Sequence, residues 1–183
     1  MKLVNCLALI LILGFNKQDS PDNYKTDRGK VRFNSEAQLE IINASSTRLR
    51  GVLNPVKRTF AFAVPVSSFE GFNAALQRDH FNENYLESDR FPVATFTGKI
   101  IEELSYPPNG ALEVRAKGML TIHGVEQERI IKVSITMIDG IMHVFSRFNV
   151  SLKDHDIKVP KVVHEKIASE ISIEVQAELK KGI

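Results

Sequence analysis

The stretch Ala111-Leu112-Glu113-Val114-Arg115-Ala116-Lys117-Gly118-Met119-Leu120-Thr121-Ile122-His123 decides the fold class. In an extended chain, Leu112, Val114, Ala116, Gly118, Leu120 and Ile122 fall on one face. Glu113, Arg115, Lys117, Met119, Thr121 and His123 fall on the other. Successive side chains of a strand point to opposite sides, so one side of this strand is apolar and the other mostly polar. A parallel strand covered by helices on both faces would be apolar throughout. The alternation therefore belongs to an antiparallel sheet with one wet face.

The same period extends outward. Ile171, Ile173, Val175, Ala177 and Leu179 alternate with Ser172, Glu174, Gln176, Glu178 and Lys180. Residues 130–138 and 141–152 form two further strands joined by Asp139-Gly140, a two-residue hairpin signal because the tight turn needs positive φ. Upstream, residues 59–67 put Phe60, Phe62, Val64 and Val66 on one face, and residues 93–104 do the same with Phe96, Gly98 and Ile100. Residues 30–34, 38–44 and 47–53 are shorter candidates, and Tyr106-Pro107-Pro108-Asn109-Gly110 is a turn. Residues 69–88 lack the alternation; Phe72, Leu76 and His80 recur at helical spacing, which predicts one or two short helices joining two strands. Residues 161–168 read as a helical turn or loop. About eight long antiparallel strands with one helical interruption close most readily into a barrel, which removes exposed edges; a twisted two-layer sandwich is the alternative.

The chain of 183 residues is 43% hydrophobic and 25% charged, with a formal net charge of +2. That is one globular domain, with charges too interleaved to grip a phosphate backbone, so nucleic acid is not an expected partner. Residues 1–20 read as a signal peptide and linker: Lys2 is followed by an apolar run over 7–13, too short to span a bilayer, and then by polar residues from Asn16. A buried first strand or helix is the other reading. The mature start falls between Gly14 and Pro21, leaving residues 21–183 as the barrel domain. Cys6 is the sole cysteine and lies in the leader, so the domain has no disulfide, Cys-zinc site or Cys nucleophile.

No catalytic motif stands out. His80, His123, His143, His155 and His164 are not at metal-ligand spacing, and Asp154-His155-Asp156 reads first as a polar turn. His123, before Gly124, reads as a turn or surface residue. Arg78-Asp79-His80 is the densest ionisable cluster, but neighbours on a helix point apart. Ser67-Ser68 stands in no nucleophile motif, and no phosphate loop or HExxH is present. No metal, cofactor or catalytic residue is expected. An eight-stranded barrel is either filled by its own side chains or holds one small ligand; the small residues Gly98, Ala116, Gly118 and Ala177 would leave room, although a strand glycine can also mark a bend.

Two motifs carry a resemblance. The segment Arg78-Asp79-His80-Phe81 through Ser88, followed by Phe91-Pro92-Val93-Ala94-Thr95-Phe96, is similar to the central motif of the YceI-like family. Gly118-Met119-Leu120-Thr121-Ile122-His123-Gly124-Val125 resembles that family's Gly-x-Leu-Thr-Ile-(Arg/His)-Gly-Val strand and turn. The resemblance covers residues 24–180. It departs at Gly29-Lys30-Val31-Arg32-Phe33, where His-Ser commonly precedes the Phe, and at residues 149–156, which lack the usual Arg-x-Asp-Phe/Tyr-Gly. It implies an all-β fold: an extended, lipocalin-like, eight-stranded antiparallel β-barrel with a short helical insertion. It also implies an exported bacterial protein, periplasmic or secreted, that is not an enzyme and carries a polyisoprenoid, isoprenoid quinone or other long-chain lipid. A homodimer stays open, as does a filled barrel serving as an interaction module of the cell envelope. On this reading Phe60, Phe62, Val64, Phe96, Leu120, Ile122, Val133, Phe148 and Ile173 are the ligand-lining residues, and Arg78 and Lys153 meet an anionic head group.

Overall fold

The computed structural model describes residues 23–104 and 111–182. The leader at 1–20 and the proline turn at 106–110 lie outside the described residues. Eight strands follow one another round a closed antiparallel barrel: β1 (Tyr24–Glu36), β2 (Ile41–Asn54), β3 (Thr59–Pro65), β4 (Val93–Ile100), β5 (Ala111–Ile122), β6 (Val125–Ile138), β7 (Ile141–Ser151) and β8 (Glu170–Lys181). Each pairs with its sequence neighbour, and β8 returns to β1, with Lys30↔Gln176, Arg32↔Glu174 and Asn34↔Ser172 in register. The barrel form, not the sandwich, is adopted.

The alternation translates into burial. On β5, Val114, Ala116 and Leu120 are buried while Glu113, Arg115 and Lys117 face solvent. Met142, Val144, Ser146 and Val150 on β7, and Ala177 and Leu179 on β8, complete the inner wall from the other side. Several strands differ in their bounds from the sequence reading: β3 stops at Pro65 and β4 at Ile100, short of the expected residues 67 and 104. Residues 30–34 are the middle of a thirteen-residue strand; residues 41–44 and 47–53 merge into the single strand β2, while 38–40 belong to the β1–β2 turn. The merge was masked by Ser45, Ser46 and Thr47, which look like a polar break. Ser46 is in fact buried, its hydroxyl 2.6 Å from that of Ser68.

Two hairpins use paired positive-φ residues, Asp139-Gly140 (φ 49 and 77) as expected and His123-Gly124 (φ 52 and 73). The β6–β7 pairing runs from Ser134↔Phe145 to Ile138↔Ile141. Beyond it, side chains span the two strands: Ser146 donates to the Lys132 carbonyl at 2.7 Å and Arg129 to the Asn149 carbonyl at 2.7 Å.

Strand directions bring the β1–β2 turn, the β5–β6 turn, the β3–β4 connection and the β7–β8 connection to one end of the barrel, where the two connections form a cap. The β3–β4 connection holds α1 (Ala75–His80), continued by a π-helical turn at Phe81–Tyr85. The helical stretch is shorter than residues 69–88 because Phe69 and Phe72 precede it, packed inward instead of on a helix face. Phe33 of β1 meets Phe69, Phe72 and Phe81 at ring-centroid distances of 5.7, 5.8 and 5.4 Å, so aromatic contact ties the insertion to the wall. A short backbone bridge between Ser45 and Glu70 adds to it. Residues 161–168 contribute the turn Lys161–Val163.

The β5–β6 turn ties both connections together. His123 stands edge-on to Phe91 at 4.7 Å, its Nε2 is 3.1 Å from Glu87, and its Nδ1 is 3.1 Å from the His155 carbonyl. It is thus a turn residue, but one with a largely enclosed ring. His155 is in a turn as expected, yet fully buried, with Nδ1 3.1 Å from the Val125 carbonyl. Among the described residues no three His, Cys, Asp or Glu gather as a metal set.

Two predictions follow from this packing. Gly98 and Gly118 face each other across β4 and β5. A Cβ on Gly98 would lie 2.1 Å from the Lys117 carbonyl oxygen, and one on Gly118 2.1 Å from that of Thr97. Because backbone cannot yield as a side chain can, Gly98→Ala or Gly118→Ala should each destabilise by roughly 2–3 kcal/mol in urea unfolding; a change within experimental error would refute the close approach. Burial holds the His155 imidazole below its ordinary pKa. The unfolded chain takes up that proton first, so stability is complete above about pH 6.5 and falls as pH drops below it, until the lower folded-state value is passed. His155→Asn should flatten the stability–pH slope in that window, and an unchanged slope would show that other groups set it.

Candidate functional site

The barrel interior is not filled. A cavity of about 560 Å³ runs from the capped end along most of the barrel, reaching Leu53, Phe60, Ile100 and Ile135 toward the opposite end, and its walls are overwhelmingly apolar. This is roughly four times the dry apolar cavity of about 150 Å³ that takes up one benzene molecule. Two features keep it open. The strands hold large side chains against the wall, as in the Phe60–Phe96 contact at 4.8 Å, and the insertion roofs the end without plugging it.

All nine residues singled out in the sequence, Phe60, Phe62, Val64, Phe96, Leu120, Ile122, Val133, Phe148 and Ile173, lie along this cavity. They come from β3, β4, β5, β6, β7 and β8, and only barrel closure brings them together. Of the small residues thought to leave room, Ala116 lines the cavity; Gly98 and Gly118 instead allow their two strands to approach. Sequence reasoning missed the aromatic roof. Phe33, Phe69, Phe72 and Phe81 also line the cavity, so eight of the eleven phenylalanines do so. The density of Phe in residues 69–81 was the available signal.

Apart from Ser35, Thr95 and Ser146 on the strands, the polar part of the lining lies at the capped end, on Glu40, Gln77, His80, Tyr85 and Lys166. Gln77 donates to Glu40 at 2.5 Å, joining α1 to the β1–β2 turn. Burial pushes the Tyr85 phenol above its ordinary value, so it stays a neutral hydrogen-bonding group. Arg78 and Lys153 stand at the same end but are exposed and off the lining; the Arg78 guanidinium points to the Ser67 carbonyl at 3.5 Å. Of the cluster Arg78-Asp79-His80, only His80 reaches the cavity, as opposite directions around a helix require.

The two serines of the lining are engaged: Ser35 accepts from the Ala168 N–H at 2.9 Å, and Ser146 donates to the Lys132 carbonyl. Ser68, outside the lining, is bonded to Ser46 and to the Pro65 carbonyl. The arrangement is an apolar tube with most of its polar groups at its mouth, a shape complementary to an elongated apolar molecule.

Comparison with solved structures shows the same fold in proteins of distant sequence. A polyisoprenoid binding domain from Saccharophagus degradans, implicated in plant cell wall breakdown, superposes with a TM-score of 0.75 at 11% identity, covering 88% of this chain and 99% of that one. BcnA of Burkholderia cenocepacia gives a TM-score of 0.67 at 16% identity over 82% of this chain and 95% of that one. The YCEI protein of Campylobacter jejuni gives 0.55 at 11% identity over 100% and 94%. Comparison with curated protein sequences found no match. The family model for the YceI-like domain matches residues 24–179, almost the whole described barrel, and the chain belongs to the YceI-like family.

Proposed function

We propose that the protein binds a long apolar lipid inside the barrel, a polyisoprenoid or isoprenoid quinone, and performs no chemical step on it. The observation that carries this reading is the apolar cavity of about 560 Å³. A filled-barrel interaction module would have no use for such a space, since unfilled apolar volume destabilises a fold. Membership of the YceI-like family supports the same class of ligand, as does the Saccharophagus domain described as polyisoprenoid binding. Each methylene moved from water to the tube contributes about 0.8 kcal/mol, which makes chain length the main source of affinity.

The mouth favours an uncharged head. Its lining carries one lysine, Lys166, and one carboxylate, Glu40, beside His80 and Tyr85. A pyrophosphate head needs several convergent cations, whereas a quinone needs only hydrogen-bond donors. Arg78 and Lys153 could touch only a head that projects beyond the lining. Export belongs to the same proposal, supported by the apolar run at residues 7–13; protein recovered outside the cytoplasm should have an intact mass starting between Gly14 and Pro21, and retention of Met1 would contradict it.

Fluorescence titration with isoprenoid quinones tests the binding reading. The expected result is saturable binding that tightens with chain length and is weakened about tenfold, or ~1.4 kcal/mol, by Phe96→Ala or Ile173→Ala. Quinone should be preferred over the polyprenyl pyrophosphate of equal length, with or without Arg78→Ala and Lys153→Ala. A wild-type protein that binds neither would refute the lipid-binding reading. A pyrophosphate preference abolished by those two substitutions would restore the anionic head.

A further inference from the structure

The mouth of the cavity is ringed by apolar side chains that the barrel does not bury. Leu39 and Ile41, at the β1–β2 turn, are 66% and 57% exposed; Leu76 on α1 is 62% exposed, and Val162 in the turn Lys161–Val163 is 89% exposed. Isolated exposed hydrophobics are ordinary, but these belong to one connected surface. The Leu39 N–H donates to the Glu165 carbonyl at 2.9 Å, and the Asn73 side chain donates to the Ile41 carbonyl at 2.9 Å. The ring is also continuous with the cavity, because Leu76 belongs to both and Val163, next to Val162, lines the cavity.

Charge accompanies the apolar ring on one side. Residues 158–166 expose Lys158, Lys161 and Lys166 against Glu165, whose carboxylate lies 3.9 Å from His164. The other side is acidic: Glu36, paired with Ile41, and Glu83, just after α1, are exposed, while on α1 Arg78 and Asp79 offset each other and Glu40 is engaged by Gln77. An opening bordered by protruding aliphatic side chains with lysines beside them matches a lipid surface: the aliphatic groups enter the acyl boundary while the lysines meet anionic head groups.

We propose that this end of the barrel docks on a bilayer containing anionic phospholipid, and that the cavity exchanges its occupant through the contact. The exchange part rests on the lipid-binding reading of the cavity; the docking part rests on the exposed ring. Passage through water would expose every methylene of the ligand, and contact between mouth and bilayer avoids that cost. The closed barrel leaves no free strand edge at this surface for strand addition by a peptide, which sets a protein partner behind the bilayer.

The test uses the protein with vesicles of phosphatidylcholine plus phosphatidylglycerol, against phosphatidylcholine alone, and a fluorescent isoprenoid quinone. Wild type should float with the vesicles, more strongly with phosphatidylglycerol, and quinone transfer should accelerate as vesicle concentration rises, the signature of transfer by collision. A variant carrying Leu39→Asp and Val162→Asp, neither of which lines the cavity, should lose flotation and slow transfer by about tenfold. Its equilibrium binding of the same quinone from detergent should match wild type, which also shows that it folds. Docking is overturned if wild type stays unbound to either vesicle, if transfer is independent of vesicle concentration, or if the double variant floats and transfers like wild type. Failure of wild type to bind quinone from detergent refutes the cavity reading instead, and flotation still decides docking.

Discussion

The pairing of β1 with β8 is the constraint on which the rest of this structure depends. It joins the first and last strands of the described domain, with residues near Val31 opposite residues near Val175. Before that contact forms, the sheet has two free edges and an apolar face open to water. Once it forms, the same face becomes an enclosed wall and the edges vanish. The inner residues of all eight strands then surround one volume. The hydrophobic stabilisation of the barrel and the existence of the cavity are consequences of the same closure.

Closure by itself would give a tube open at its end. The helical insertion and the β7–β8 connection cap it, and the two strand turns at that end hold them. The β1–β2 turn reaches α1 through Glu40 and Gln77 and the other connection through Leu39 and Glu165. The β5–β6 turn reaches the insertion through His123 and Glu87 and the other connection through His123 and His155. One side of the cap is thus locked by enclosed histidines. The other side carries the polar lining and the exposed aliphatic ring. That asymmetry gives the cavity a direction, with a closed shoulder and a mouth.

Much of this was legible in the sequence because a period of two is a local property. Val114, Ala116 and Leu120 had to share a face whatever their neighbours did, and the same holds for Phe60, Phe62 and Val64. What the residues could not reveal were facts made by contact between distant segments. Phe69, Phe72 and Phe81 fold back on Phe33 only once the barrel exists. Gly98 and Gly118 read equally well as space-makers until their strands are seen pressed together. His155 sits between two aspartates in a turn that looks wet, yet its ring is buried under the β5–β6 hairpin. Arg78 and Lys153 were the cations a head group would suggest, but helix and turn geometry direct them off the lining, and Lys166 is the lysine that borders the cavity.

The central claim is that the apolar cavity exists to hold a lipid chain. Native mass spectrometry of the protein purified from its own host, with organic extraction of what comes with it, tests this most directly. The account predicts a stoichiometric adduct whose extracted mass is that of an isoprenoid lipid. A bare protein mass that does not change after incubation with such lipids would contradict it.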